Sequence, residues 1–167
     1  MHIESIMAGT FLRQRALELW QEGFAHHARQ DLARAIELYT RSIEMCPTAE
    51  AYTFRGWAYH GLGRLDEAIG ECKRAIEVDP TLGNPYNDIG SYLIAMGKYD
   101  GAIEWLEKAK LAPRYEPRHF PYMNLARVYA AKGMLTQAIR ELEQALRIQP
   151  RDAACLQMLA QLRGALN

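Results

Sequence analysis

A chain of 167 residues, 49% hydrophobic and 24% charged, has the composition of a packed globular protein and not of a disordered one. Twenty basic residues balance twenty acidic ones, so the charge excess of a nucleic-acid or anionic-membrane binder is missing, and neither partner is expected. Three cysteines, Cys46, Cys72 and Cys155, lie far apart with no Cys-x-x-Cys pair, which argues against a disulfide framework or zinc knuckle and for a reducing, cytoplasmic setting.

Residues 1–15, MHIESIMAGTFLRQR, hold no continuous apolar core and no clean small-residue cleavage site, and read as an N-terminal arm or a helix extension. No stretch of the chain approaches the ~20 apolar residues of a membrane span. From residue 16 the sequence falls into pairs of segments with helical periodicity. Residues 16–48 join ELWQEGFAHHARQ to QDLARAIELYTRSIEMCP, and residues 49–82 join AYTFRGWAYHGLG to GRLDEAIGECKRAIEVDP. Residues 83–118 join PYNDIGSYLIAMG to GKYDGAIEWLEKAKLAPR, and residues 119–152 join PYMNLARVYAAKG to GMLTQAIRELEQALRIQP. Within 153–167, AACLQMLAQLRGALN repeats the first-segment pattern and is expected to be a capping helix, since a terminal unit would otherwise leave an apolar face in water.

Each copy carries the same packing positions. Gly23, Gly56, Gly90 and Ala126 sit midway along the first helices, where a missing side chain lets the second helix approach. Ala35, Ala68, Ala102 and Ala138 are their small partners, and Tyr39, Cys72, Leu106 and Leu142 fill the large position one turn later. Cys72 is therefore expected to be a buried apolar side chain. Pro47, Pro80 and Pro150 close three units, because proline cannot continue a helix. The joint LAPRYEPRHFPYMN carries two extra residues and three prolines, and a kink or widened spacing is expected from Arg114 to Phe120.

Self-similarity at a period of about 34 residues with small residues at fixed offsets is the mark of a helical solenoid. The copies resemble tetratricopeptide repeats over most of the chain, and the resemblance implies an all-α fold: a right-handed superhelical solenoid of antiparallel helix pairs, four repeats and a C-terminal capping helix. It further implies a concave groove lined by first-helix positions between the core ones. The candidate groove residues are Trp20, Phe24, His27, Phe54, Trp57, His60, Asn84, Asn87, Asp88, Asn124 and Arg127.

These side chains give the groove two characters. Four aromatics at one end suit apolar anchors of a peptide, while the amides can pair with its backbone, Asp88 favours a cation and Arg127 an anion. Chaperone-binding members of the family clamp a terminal carboxylate with Lys, Asn and Arg at such positions. Here Trp20, Phe24, Phe54, Asn84 and Asp88 stand in their place, and Asp88 would repel that carboxylate. Glu22 and Arg55 occupy a usually apolar position in successive units, where they either pair with each other or extend their charged ends to water. His26 is expected on the core face, and His27 and His60 towards the groove without a third metal ligand. No phosphate loop, nucleophile elbow or His-Glu-x-x-His is present, so neither catalysis, metal nor cofactor is expected. The reading is an interaction module or adaptor that binds a peptide segment of a protein partner, with self-association left open. The alternative is a structural scaffold subunit using its convex face or ends. For it, the Pro-rich, Tyr-containing joint resembles that of type IV pilus assembly factors.

Overall fold

A computed structural model describes residues 2–166, with side chains from Ile6 onward. The described residues form nine helices: α1 (His2–Ala28), α2 (Leu32–Met45), α3 (Ala49–Gly61), α4 (Leu65–Val78), α5 (Asn84–Ala95), α6 (Tyr99–Leu111), α7 (Phe120–Ala131), α8 (Leu135–Ile148) and α9 (Ala153–Ala165). The only β-type pairing among them is one isolated bridge between Leu82 and Arg114. The fold is all-α, built of antiparallel helix pairs, and divides into two compact units, residues 1–80 and 81–167.

In the first unit α1 packs on α2, α2 on α3 and α3 on α4. Helix starts follow from local chemistry: Asp31 caps α2 by accepting from Arg34 N, and Thr48 caps α3 by accepting from Ala51 N at 3.2 Å. The α1–α2 contact is tight because Gly23 has no side chain; a Cβ there would stand 2.8 Å from Tyr39 Cε1. Leu19, Leu38 and Tyr39 are fully buried, and Ser42 Oγ donates to Ala16 O at 2.7 Å. Burial of each such large side chain stabilises the unit by roughly 1.5–3 kcal/mol. Helix α1 runs unbroken through residues 2–15 and leaves Ile6, Met7 and Phe11 exposed.

The structure decides one open alternative in this unit and corrects one expectation. Glu22 and Arg55 do not pair. Arg55 Nε donates to Glu71 Oε2 at 2.7 Å and its Nη1 to Thr40 Oγ1 at 3.0 Å, while Glu22 lies 4.0 Å from Arg34. The reason is burial: Glu71 is out of water and a desolvated carboxylate demands a cation. His26 is not on the core face, and His27, though it lies on the side of Phe24, Trp57 and His60 as expected, is not exposed there. His27 is buried, whereas His26 is half-exposed and meets Asp31 Oδ2 at 2.9 Å.

In the second unit α5 packs on α6, α6 on α7, α7 on α8 and α8 on α9. Leu106, Leu125 and Val128 form one buried cluster with Ala102; Ala126, Ala138, Leu142 and Ala145 form another, covered by Cys155 and Leu159 of α9. The joint between α6 and α7 turns through a cis Glu116–Pro117 peptide. It folds back on the start of α5: Gly83 N donates to Arg114 O at 2.8 Å, Arg114 N to Thr81 O at 3.0 Å, and Tyr115 is buried against Gly83. At its far end His119 Nε2 lies 3.4 Å from Asp152 Oδ2, the residue that caps α9 through Cys155 N.

Candidate functional site

Trp20, Phe24 and His27 share one face of α1 by their i, i+4, i+7 spacing, and Phe54 and Trp57 share one of α3. Packing of the two helices brings all five side chains together. Trp20 stacks on Phe24 with centroids 6.0 Å apart, and meets Phe54 edge-on at 5.1 Å. Phe54 is 5.6 Å from Phe24 and 5.7 Å from Trp57, both near-perpendicular, the offset and edge-on arrangements that aromatic quadrupoles favour. Phe24 and Trp57 remain 43% and 46% exposed, while Trp20 and Phe54 are half-buried.

His27 is the floor of this patch and not part of its open surface. Its ring lies 4.4 Å from that of Trp57, and Tyr39 Oη is 3.4 Å from its Nδ1. Burial lowers its pKa, keeping the imidazole neutral at pH 7, and the same burial raises that of Tyr39. His60 stands across a cleft of about 310 Å³ whose walls include Phe24, Trp57 and Leu32. Tyr39, invisible as a site residue in the sequence because its repeat position is a core one, supports the patch from below.

In the second unit the polar candidates form a ladder. Asn124 Nδ2 donates to Asn87 Oδ1 at 3.0 Å, and Arg127 Nη1 donates to Asn124 Oδ1 at 3.3 Å. Asn87 is buried, and Asn84 donates to Glu116 O at 3.3 Å, so part of the amide capacity expected for a ligand is used within the unit. Asp88 is half-buried, and desolvation pushes its carboxyl up to about 7 against the opposing effect of a hydrogen bond with Asn87. His119, Asp152 and Cys155 also come together, a grouping that sequence spacing did not suggest. The Cys155 thiol is buried and pushed up to about 12 by that burial, so it is no nucleophile.

Among the described residues no three His, Cys, Asp or Glu side chains gather as metal ligands, and no helix is long and apolar enough to cross a membrane.

The tetratricopeptide repeat family matches residues 49–82 and again residues 93–162. The small glutamine-rich tetratricopeptide repeat-containing protein 2 of Mycosarcoma maydis is 34% identical over 95 residues, which is 56% of this chain and 27% of that protein. The heat-shock protein cognate co-chaperone sgt12 of Aspergillus fumigatus is 33% identical over 92 residues, 54% of this chain and 27% of that protein. The chain thus spans about a quarter of the length of these relatives. The solved structure of Pseudomonas aeruginosa pilF superposes with a TM-score of 0.85 over 90% of this chain and 68% of its own, at 20% identity, a likeness of fold alone. With two stretches of the chain matched and helix pairs meeting at the small residues that the repeat requires, this chain belongs to the tetratricopeptide repeat family.

Proposed function

We propose that the chain is a non-catalytic protein-interaction module, an adaptor that takes an apolar peptide segment of a partner on the Trp20–Phe24–Phe54–Trp57 patch. The coarser reading, an interaction module, is supported by the tetratricopeptide repeat relatives, one of which is named a co-chaperone. For the peptide site one observation carries the argument: two large aromatics stay over 40% exposed although neighbouring rings hold them in place. Rigid exposed rings lose little entropy on binding, and buried aromatic anchors commonly contribute 2 kcal/mol or more each. In the second unit Arg127 suits an anionic group and Asn124 a backbone amide, while Asp88, whose carboxyl is raised to about 7, suits a cation once it has lost its proton. A chaperone's terminal carboxylate finds no matching clamp at these positions. Three free cysteines suit a reducing cytoplasmic compartment.

The test is Trp57→Ala. A partner captured from native lysate should bind this variant at least tenfold more weakly, about 1.4 kcal/mol or more, while the melting temperature stays close to that of the wild type. A destabilised variant with unchanged affinity per folded molecule would remove the patch from consideration.

The scaffold reading is favoured by one observation, the exposure of Ile6, Met7 and Phe11 on α1, outside the patch. It expects Phe11→Glu to abolish capture by a larger assembly and Trp57→Ala to leave it intact.

A further inference from the structure

Phe24 and Trp57, the two exposed rings of the aromatic patch, also wall the cleft of about 310 Å³, which lies at the small end of the range for ligand sites. It has room for one side chain. Among the described residues no Asp, Glu, Lys or Arg borders it, so a charged group entering it would lose water without gaining a counter-ion. The polar group buried in its wall is His27, which is only 6% exposed. Tyr39 Oη lies 3.4 Å from His27 Nδ1, and that phenol is fully buried with no other hydrogen-bond partner among the described residues. Burial keeps the phenol protonated, and its proton needs an acceptor. Nδ1 is that acceptor, so the neutral imidazole carries its own proton on Nε2. Nε2 in turn has no hydrogen-bond partner among the described residues, and unlike Trp20 Nε1 it is not shut off from solvent. The cleft therefore presents an N–H donor at its floor between two aromatic walls.

We propose that this cleft takes a tyrosine side chain of the partner's segment, its ring against Phe24 and Trp57 and its Oη accepting from His27 Nε2. The proposal rests on the adaptor reading and names the anchor that the patch selects. Complementarity to the cleft sorts the side chains. Phenylalanine would expel water from the imidazole N–H and offer no acceptor, and tryptophan has only a donor. Serine and asparagine accept but have no ring to cover the two aromatic walls. Lysine and glutamate would bring a charge into a cleft that holds no opposite one. Tyrosine joins an aromatic body to a neutral acceptor at its tip.

The experiment titrates the full chain, labelled with nitrogen-15, with the blocked tripeptide acetyl-Ala-Tyr-Ala-amide, reading the indole N–H resonance of Trp57, which Trp57→Phe assigns. A saturable shift is expected, with roughly threefold to tenfold weaker binding of acetyl-Ala-Phe-Ala-amide and no saturable shift with acetyl-Ala-Lys-Ala-amide. In a chain carrying both His27→Leu and Tyr39→Phe, which removes the two polar partners together and strands neither, the Tyr and Phe tripeptides should bind equally. Equal affinity for the two tripeptides on the wild-type chain would overturn the proposal while leaving the aromatic patch standing, and this comparison decides the matter even should the double variant fail to fold. A preference for Tyr that survives in the folded double variant, or equal binding of the Lys tripeptide, would overturn it too. So would the absence of any saturable shift at Trp57 with the Tyr tripeptide. The patch itself is judged separately, by the loss of the captured partner from Trp57→Ala.

Discussion

Arg55 on α3 and Glu71 on α4 form an ion pair at 2.7 Å in which the two side chains are only 11% and 6% exposed. Each has a further partner, Thr40 for Arg55 and Arg74 for Glu71, so neither charge depends on the other alone. Removing one member of such a pair strands a desolvated charge, which commonly costs 3–5 kcal/mol, whereas replacing both by apolar groups of similar size is often neutral. Glu71→Ala should therefore lower the melting temperature sharply. Arg55→Met combined with Glu71→Leu should recover most of the loss, as measured by thermal unfolding of all three chains.

The turn after each first helix tests backbone geometry. Gly63, Gly97 and Gly133 take φ of +75°, +72° and +73° there, and Gln30 takes +64° at the equivalent position of the first repeat. The left-handed region costs a non-glycine residue roughly 1–2 kcal/mol, and glycine's added freedom in the unfolded chain offsets part of that gain. Gln30→Gly should raise stability by up to about 1 kcal/mol, and Gly63→Ala should lower it by a similar amount. Chemical denaturation midpoints with unchanged slopes would establish both.

Helix glycines divide into two kinds with opposite expected responses to alanine. At Gly90 a Cβ would stand 2.5 Å from Leu106 Cγ, so Gly90→Ala should cost roughly 1–3 kcal/mol through overpacking. At Gly70, inside α4, a Cβ meets nothing within 4 Å. Gly70→Ala should stabilise by about 1 kcal/mol through helix propensity. If both variants destabilise equally, the helix pair does not close around Gly90 as described.

Asp88 carries a pH signature. An aspartate ordinarily titrates near 3.8, and burial raises Asp88 to about 7 in the fold. Between those values the folded chain keeps a proton that the unfolded chain has released, so stability falls as pH rises. The contribution is full below the unfolded value and is gone once pH has passed the folded one. Asp88→Asn should remove this slope, and its melting temperature relative to the wild type should climb between pH 4 and pH 8. Parallel curves for the two chains would contradict the burial of this carboxyl.

The fold was legible because the repeat states its packing rule several times: small residues at Gly23 and Gly90, large ones at Tyr39 and Leu106. The aromatic patch was legible for the same reason, since first-helix positions between the core ones share a face. What the repeat could not supply were the departures. Side-by-side position offers Arg55 either Glu22 or water, but a carboxylate buried on the adjacent second helix competes for it, and burial is not written in spacing. His26 and His27 are neighbours roughly 100° apart on a helix, so a small error in azimuth exchanges core for surface. The joint from Arg114 to Phe120 has no counterpart in the other copies, so its return onto Thr81 and Gly83 had no template.

The indoles are unevenly shared, with Trp20 and Trp57 in residues 1–80 and Trp105, beside Tyr86 and Lys108, in residues 81–167. A chain carrying Trp20→Phe and Trp57→Phe emits from the second unit alone, and Trp105→Phe confines emission to the first. Fluorescence then follows the melting of each half separately in one intact polypeptide. Because burial keeps His27 uncharged at neutral pH, Trp57 is spared the quenching that a protonated imidazole imposes, and its emission should stay level until acid is strong enough to charge that ring.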